Sequence, residues 1–168
     1  MHDEVDQLAR ERGAATVLQR VALLRIGQRP RLFIAHRIAR RREVVALGEP
    51  RDQPVRVCGV VGFPLGAATV STKAIEAMDC VQDGAQEIDM VVSLGDLAAG
   101  RSEYVQIEIA QVVESMRRLR DVFGPVTVKV ILETAALTEQ AIAQGCAAAI
   151  AAGADFVKTS TGFHPAGG

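Results

Sequence analysis

From Arg56 onward, short apolar runs alternate with longer stretches whose apolar positions recur at helical spacing. That alternation is the mark of βαβ units and a parallel sheet. Arg56 to Phe63 is the first clear predicted strand. Its apolar residues are continuous instead of alternating, as in a strand covered on both faces. Pro64 and Gly66 stop it, and the segment from Ser71 to Asp83 then places Ala74, Ala77, Met78 and Val81 on one helical face, closed by Gly84. Glu87 to Ser93 reads as the next strand. Ser102 to Asp121 follows as a helix whose core stripe is Val105, Ile109, Val112, Met116 and Leu119. After a strand over Thr127 to Glu133, Thr138 can cap a helix that buries Ile142, Cys146 and Ile150 and ends at Gly153. Asp155 to Ser160 is the last predicted strand, and a loop from Gly162 to Gly168 follows it.

The first 55 residues are less regular. Asp3 to Arg12 reads as a short helix ending at Gly13, Ala14 to Val17 as the start of a strand, Leu32 to Ala35 as a strand and Arg37 to Leu47 as a helix. Arg20, Arg25, Arg29, Arg31, Arg37, Arg40, Arg41 and Arg42 interrupt any clean periodicity there.

Composition narrows the class. A chain of 168 residues, 49% apolar and without tryptophan, suits one α/β domain with a substantial core. No apolar run approaches the roughly 18 residues of a membrane span, and the charged N-terminus has no signal-peptide core, so the cytoplasm is the expected location and no membrane partner is expected. Cys58, Cys80 and Cys146 form no C-x-x-C pair and have no histidines at ligand spacing, so they read as small core residues instead of a metal or disulfide framework. His164 reads as solvent-exposed, while His2 and His36 carry no signal. The net charge of −1 conceals a basic first third, which raises nucleic-acid contact as a question. With only Phe33 as an aromatic in that stretch and no binding module, the run reads as a solvated face, and nucleic acid is not an expected partner.

The chemistry lies in charges placed inside strands. Asp89, Lys129 and Lys158 each sit in an apolar run of a successive predicted strand, and in parallel neighbours they converge on one interior. A self-neutralising core cluster is one reading. It is a poor device for stability, because desolvating each ion costs about several kcal/mol and apolar replacements are often neutral or better. The other reading is an amine whose burial frees its lone pair for imine chemistry. Thr159, Ser160 and Thr161 offer hydroxyls beside Lys158, Gly162 permits close backbone approach, and Glu133 and Thr134 either reach the pocket or cap a strand end.

Four segments occur in a family's order and spacing: Val60-Val61-Gly62-Phe63-Pro64-Leu65-Gly66, Asp83-Gly84-Ala85-Gln86-Glu87-Ile88-Asp89-Met90-Val91, Val128-Lys129-Val130-Ile131-Leu132-Glu133-Thr134, and the run from Ala152 to Phe163. In these the chain resembles deoxyribose-phosphate aldolase, a class I aldolase with a (β/α) barrel. The resemblance implies that Lys158 is the Schiff-base lysine and Asp89 the carboxylate of the proton relay. It places Lys129, Thr161 and Gly162 on the substrate side, with a small phosphorylated sugar as substrate and no metal or cofactor.

The resemblance covers residues 56–168 as a partial barrel domain, with residues 1–55 as a poorly matching segment of the same domain. It implies an α/β parallel (β/α) barrel of about five to six of eight units. The family's opening strand has no counterpart, nor do its later strands, which bring a second lysine and phosphate-binding loops. Residues 18–55 read as either a shifted reading frame or diverged text. Edges left open in this way would allow pairing with another chain, including a homo-oligomer. An inactive fragment acting only by association is the alternative to an active lyase.

Overall fold

The computed structural model describes residues 56–165 and the backbone of residues 32–35. Strands β1 (Leu32–Ala35), β2 (Arg56–Val61), β3 (Glu87–Val91), β4 (Thr127–Ile131) and β5 (Phe156–Lys158) form one sheet. All neighbours are parallel, and spatial order follows chain order. A doubly wound sheet reverses its strand order at a switch point. Sequential order, with the described helices on one face, is instead the arrangement of a (β/α) barrel. The expected strand at Leu32–Ala35 is present. The elements expected over 3–17 and 37–47 lie outside the described residues.

Helix α1 (Val70–Gln82) joins β2 to β3, and α3 (Ser102–Phe123) joins β3 to β4. Helix α4 (Glu139–Ala152) joins β4 to β5. Thr69 caps α1 by accepting from the Thr72 amide, and Thr138 caps α4 by accepting from the Ala141 amide. Gly153, with φ 80°, closes α4 in the left-handed conformation. Two short elements arose where only links were read: helix α2 (Leu94–Ala98) and a 3-10 turn at Thr134–Ala136.

The main core lies between sheet and helices. Val57, Val61, Ile88, Met90, Val92, Val128, Val130 and Leu132 alternate along the strands and pack against Ala77, Val105, Ile109 and Val112 of the helices. By the two-residue period of a strand, Cys58, Asp89, Lys129 and Lys158 fall on the opposite face.

One expected face is rotated. Ile150, read as buried, is 75% exposed, while Ala141, Gly145, Ala148, Ala149 and Ala152 face inward. The cause is space: a Cβ on Gly145 would lie 2.9 Å from side-chain atoms of both Leu132 and Leu97. The helix therefore turns its smallest residues to the sheet, and Ile142 and Cys146 pack at its flank. His164, expected in solvent, is half-buried.

Candidate functional site

The register places Asp89 directly beside Lys129, while Lys158 pairs with Ile131, two residues nearer the C-terminal ends of the strands. Strands β3 and β5 are separated by β4, about 9 to 10 Å across a sheet. A lysine stem is long enough to help close such a gap, and Lys158 Nζ donates to Asp89 Oδ2. Lys129 Nζ lies 2.9 Å from Asp89 Oδ1. All three expected residues are therefore brought together, and all three are buried.

The two lysines are not equivalent. Lys129 has a second carboxylate, Glu87, at 2.7 Å, whereas Asp89 is the carboxylate paired with Lys158. Burial alone would lower the Lys129 ammonium, but Cys58, Asp89 and Glu87 together outweigh it and hold its pKa well above the ordinary lysine value. For Lys158 burial wins against the pull of Asp89, with the positive charge of Lys129 adding to it, and the amine is lowered. One lysine is thus held as a cation and its neighbour biased toward the free base, the kind of divergence by which environment assigns acid and base roles. Cys58 Sγ lies 3.7 Å from Lys129 Nζ. Burial, helped by Asp89, pushes its thiol well above the usual range.

Beyond Lys158 the chain turns through Thr159 to Phe163. Thr161 is 1% exposed, and both its amide and its hydroxyl donate to Glu133 Oε2, the amide at 3.1 Å. Its hydroxyl oxygen accepts from the Phe163 amide at 3.1 Å. Gly162 adopts φ 81°, open to glycine at little cost. Phe163 packs edge-on against Phe63 with centroids 5.4 Å apart, joining this loop to the one after β2.

In 117 residues the chain is 49% identical to the deoxyribose-phosphate aldolase of Caldanaerobacter subterraneus subsp. tengcongensis, covering 70% of this chain and 49% of that one. The chain is a homologue of the deoxyribose-phosphate aldolases. The aldolase of Thermoanaerobacter pseudethanolicus is 48% identical, with 70% of this chain and 51% of the relative covered. Among solved structures, the aldolase QR15 matches with TM-score 0.60 and 40% identity over 66% of this chain and 47% of that one. The tetrameric deoxyribose phosphate aldolase of Aeropyrum pernix matches with TM-score 0.56 and 37% identity over 66% and 43%. The chain spans about half the length of the curated relatives it matches. No family model matches.

Several members of the site were not singled out from sequence. Glu87 was readable, since it stands two residues before Asp89 and must share its face. Cys58 was read as plain core. A second buried ion pair, Lys73 with Glu108 at 2.5 Å, sits behind the sheet, and Glu108 Oε1 accepts from the Ser93 amide at 2.6 Å. Glu108 lies one residue from Ile109 on the core stripe of α3, which was the available signal. A groove of about 890 Å³ runs along α1 between Phe63, Leu65, Ile75 and Asp79, and none of the three strand ions lines it. Among the described residues no cluster of acids, histidines and cysteines could hold a metal, and no described helix is long and apolar enough to cross a membrane.

Proposed function

We propose that this chain carries a class I aldolase site, cleaving 2-deoxy-D-ribose 5-phosphate to D-glyceraldehyde 3-phosphate and acetaldehyde. The observation that carries the reading is the buried contact of Lys158 Nζ with Asp89 Oδ2, beside a lysine kept cationic by its own carboxylates.

Asp89 takes a proton from Lys158, and the Lys129 cation disfavours positive charge on that amine. The freed amine attacks C1 of the open-chain aldehyde to give a carbinolamine, Asp89 returns its proton to the departing hydroxyl, and loss of water gives the protonated imine. A carboxylate at Asp89 then removes the C3 hydroxyl proton. The C3–O bond becomes a carbonyl, the C2–C3 bond breaks, and its electron pair moves into the imine to give an enamine. Glyceraldehyde 3-phosphate leaves. Protonation at C2 and hydrolysis of the resulting imine return Lys158 and release acetaldehyde. In this reading Lys129, Thr161 and Gly162 stand on the substrate side, with Gly162 allowing close approach of backbone to the phosphate end.

The test is reductive trapping. Acetaldehyde with borohydride is expected to leave an ethyl group on Lys158, located by peptide mass spectrometry. A cooperatively folded chain that gains no adduct at Lys158 refutes the imine role.

A further inference from the structure

We propose that Glu133 is a positioning residue that fixes the loop after Lys158 and so sets recognition of the substrate end remote from the aldehyde. This rests on the aldolase reading above and adds to it a residue that makes no contact with the reacting atoms.

Among the described residues, Glu133 is the one non-glycine residue with positive φ, at 53°, and it is 3% exposed. Beyond the ends of β4 and β5, the Leu132 amide donates to the Lys158 carbonyl at 3.0 Å, and the Thr134 amide donates to the Thr159 carbonyl at 2.8 Å. Two residues on the β4 side thus span a single step on the β5 side, and Glu133 is the extra residue of a bulge. A bulge re-aims a side chain, and non-glycine residues persist in the left-handed region only where the surroundings enforce it.

Here the re-aimed carboxylate meets the next loop. Its Oε2 accepts both the amide and the hydroxyl of Thr161, whose oxygen in turn accepts the Phe163 amide. Phe163 then packs on Phe63. One buried side chain therefore ties the β4 end to residues 161–163, and through the aromatic pair to the loop after β2. Because Glu133 takes the Thr161 amide, that N–H is committed to the clamp. Thr161 then acts by shaping the loop, and Gly162 is left as its conformationally open member. Glu133 Oε1 and Ser160 Oγ are buried without hydrogen-bond partners, so the same corner holds polar capacity that a donor-bearing ligand such as a sugar hydroxyl would satisfy.

The experiment compares wild type, Glu133→Gln, which keeps an acceptor oxygen, and Glu133→Gly, which relieves the backbone conformation while removing the clamp. Borohydride trapping at Lys158 is measured with acetaldehyde, which occupies only the amine end, and with 2-deoxyribose 5-phosphate. In Glu133→Gly, trapping of the sugar phosphate is expected to fall at least about tenfold relative to acetaldehyde, with Glu133→Gln within about twofold of wild type. Hydrogen exchange at the Thr161 amide is expected to accelerate at least about tenfold in the glycine variant alone. An unchanged sugar-to-acetaldehyde ratio in Glu133→Gly overturns the proposal. Failure of wild type to trap acetaldehyde refutes the aldolase reading instead, and an unchanged Thr161 exchange rate then removes the clamp as well.

Discussion

The buried pair Lys73–Glu108 offers a quantitative test of how charge is tolerated behind this sheet. Both side chains are fully buried, 2.5 Å apart, and Glu108 also satisfies the Ser93 amide at the end of β3. Replacing Glu108 by Leu leaves an ammonium without this partner and a backbone donor unsatisfied. Breaking a buried pair costs about 3–5 kcal/mol, and an orphaned buried donor about 1–3 kcal/mol more. That sum approaches the total stability of a domain, about 5–15 kcal/mol, so Glu108→Leu is expected to be marginally folded or unfolded. Lys73→Met should be milder, since a lone carboxylate can escape by protonation. Burial already raises the Glu108 pKa against the pull of Lys73, and loss of Lys73 raises it further. A folded pKa above the unfolded one means that the folded state binds more protons between the two values. Stability then falls as pH rises through that window. The deficit of Lys73→Met relative to wild type should therefore shrink on acidification toward the unfolded carboxylate pKa of about 4.3. The Lys73→Met/Glu108→Leu double variant should recover about 2 kcal/mol or more of the summed single losses. Urea unfolding followed by far-UV circular dichroism gives all four corners. Additive single losses, or a Lys73→Met deficit independent of pH, would refute the argument.

Two further outcomes follow from the site and its loops. Lys129→Met removes the like charge that helps lower Lys158, so the acid limb of Lys158 trapping by acetaldehyde and borohydride should move to higher pH. A limb that stays put or moves down would show that Lys129 does not tune the amine. Gly66→Ala sets a Cβ 1.7 Å from the Val92 carbonyl oxygen at φ 68°, whereas Gly100, at φ 76°, has nothing within 4 Å. The Gly100→Ala variant should lose only the left-handed strain of about 1–2 kcal/mol. The Gly66→Ala variant should lose clearly more by the same denaturation assay, and equal losses would contradict the packing.

Local pattern carried much of this protein. Apolar runs and helical stripes located β2 to β5 and helices α1, α3 and α4 to within a few residues, because burial on one or both faces leaves a period in the chain. Thr138 and Gly153 marked the ends of α4 because capping is settled by neighbours in sequence. The alternation of strand side chains was enough to anticipate that Asp89, Lys129 and Lys158 share a face.

Tertiary structure decided the rest. Which side of α4 is buried depends on how closely Leu97 and Leu132 approach it, so Ile150 lies outside although its spacing matches a core face. The unequal state of the two lysines depends on Glu87 reaching one of them, a distance that no periodicity encodes. Lys73 found Glu108 35 residues away, and Glu133 entered the left-handed region because two loops close upon it. Sequence determines which residues lie on a buried face. Only the three-dimensional packing determines their partners, because the energy of a desolvated charge is set by distances of a few ångströms.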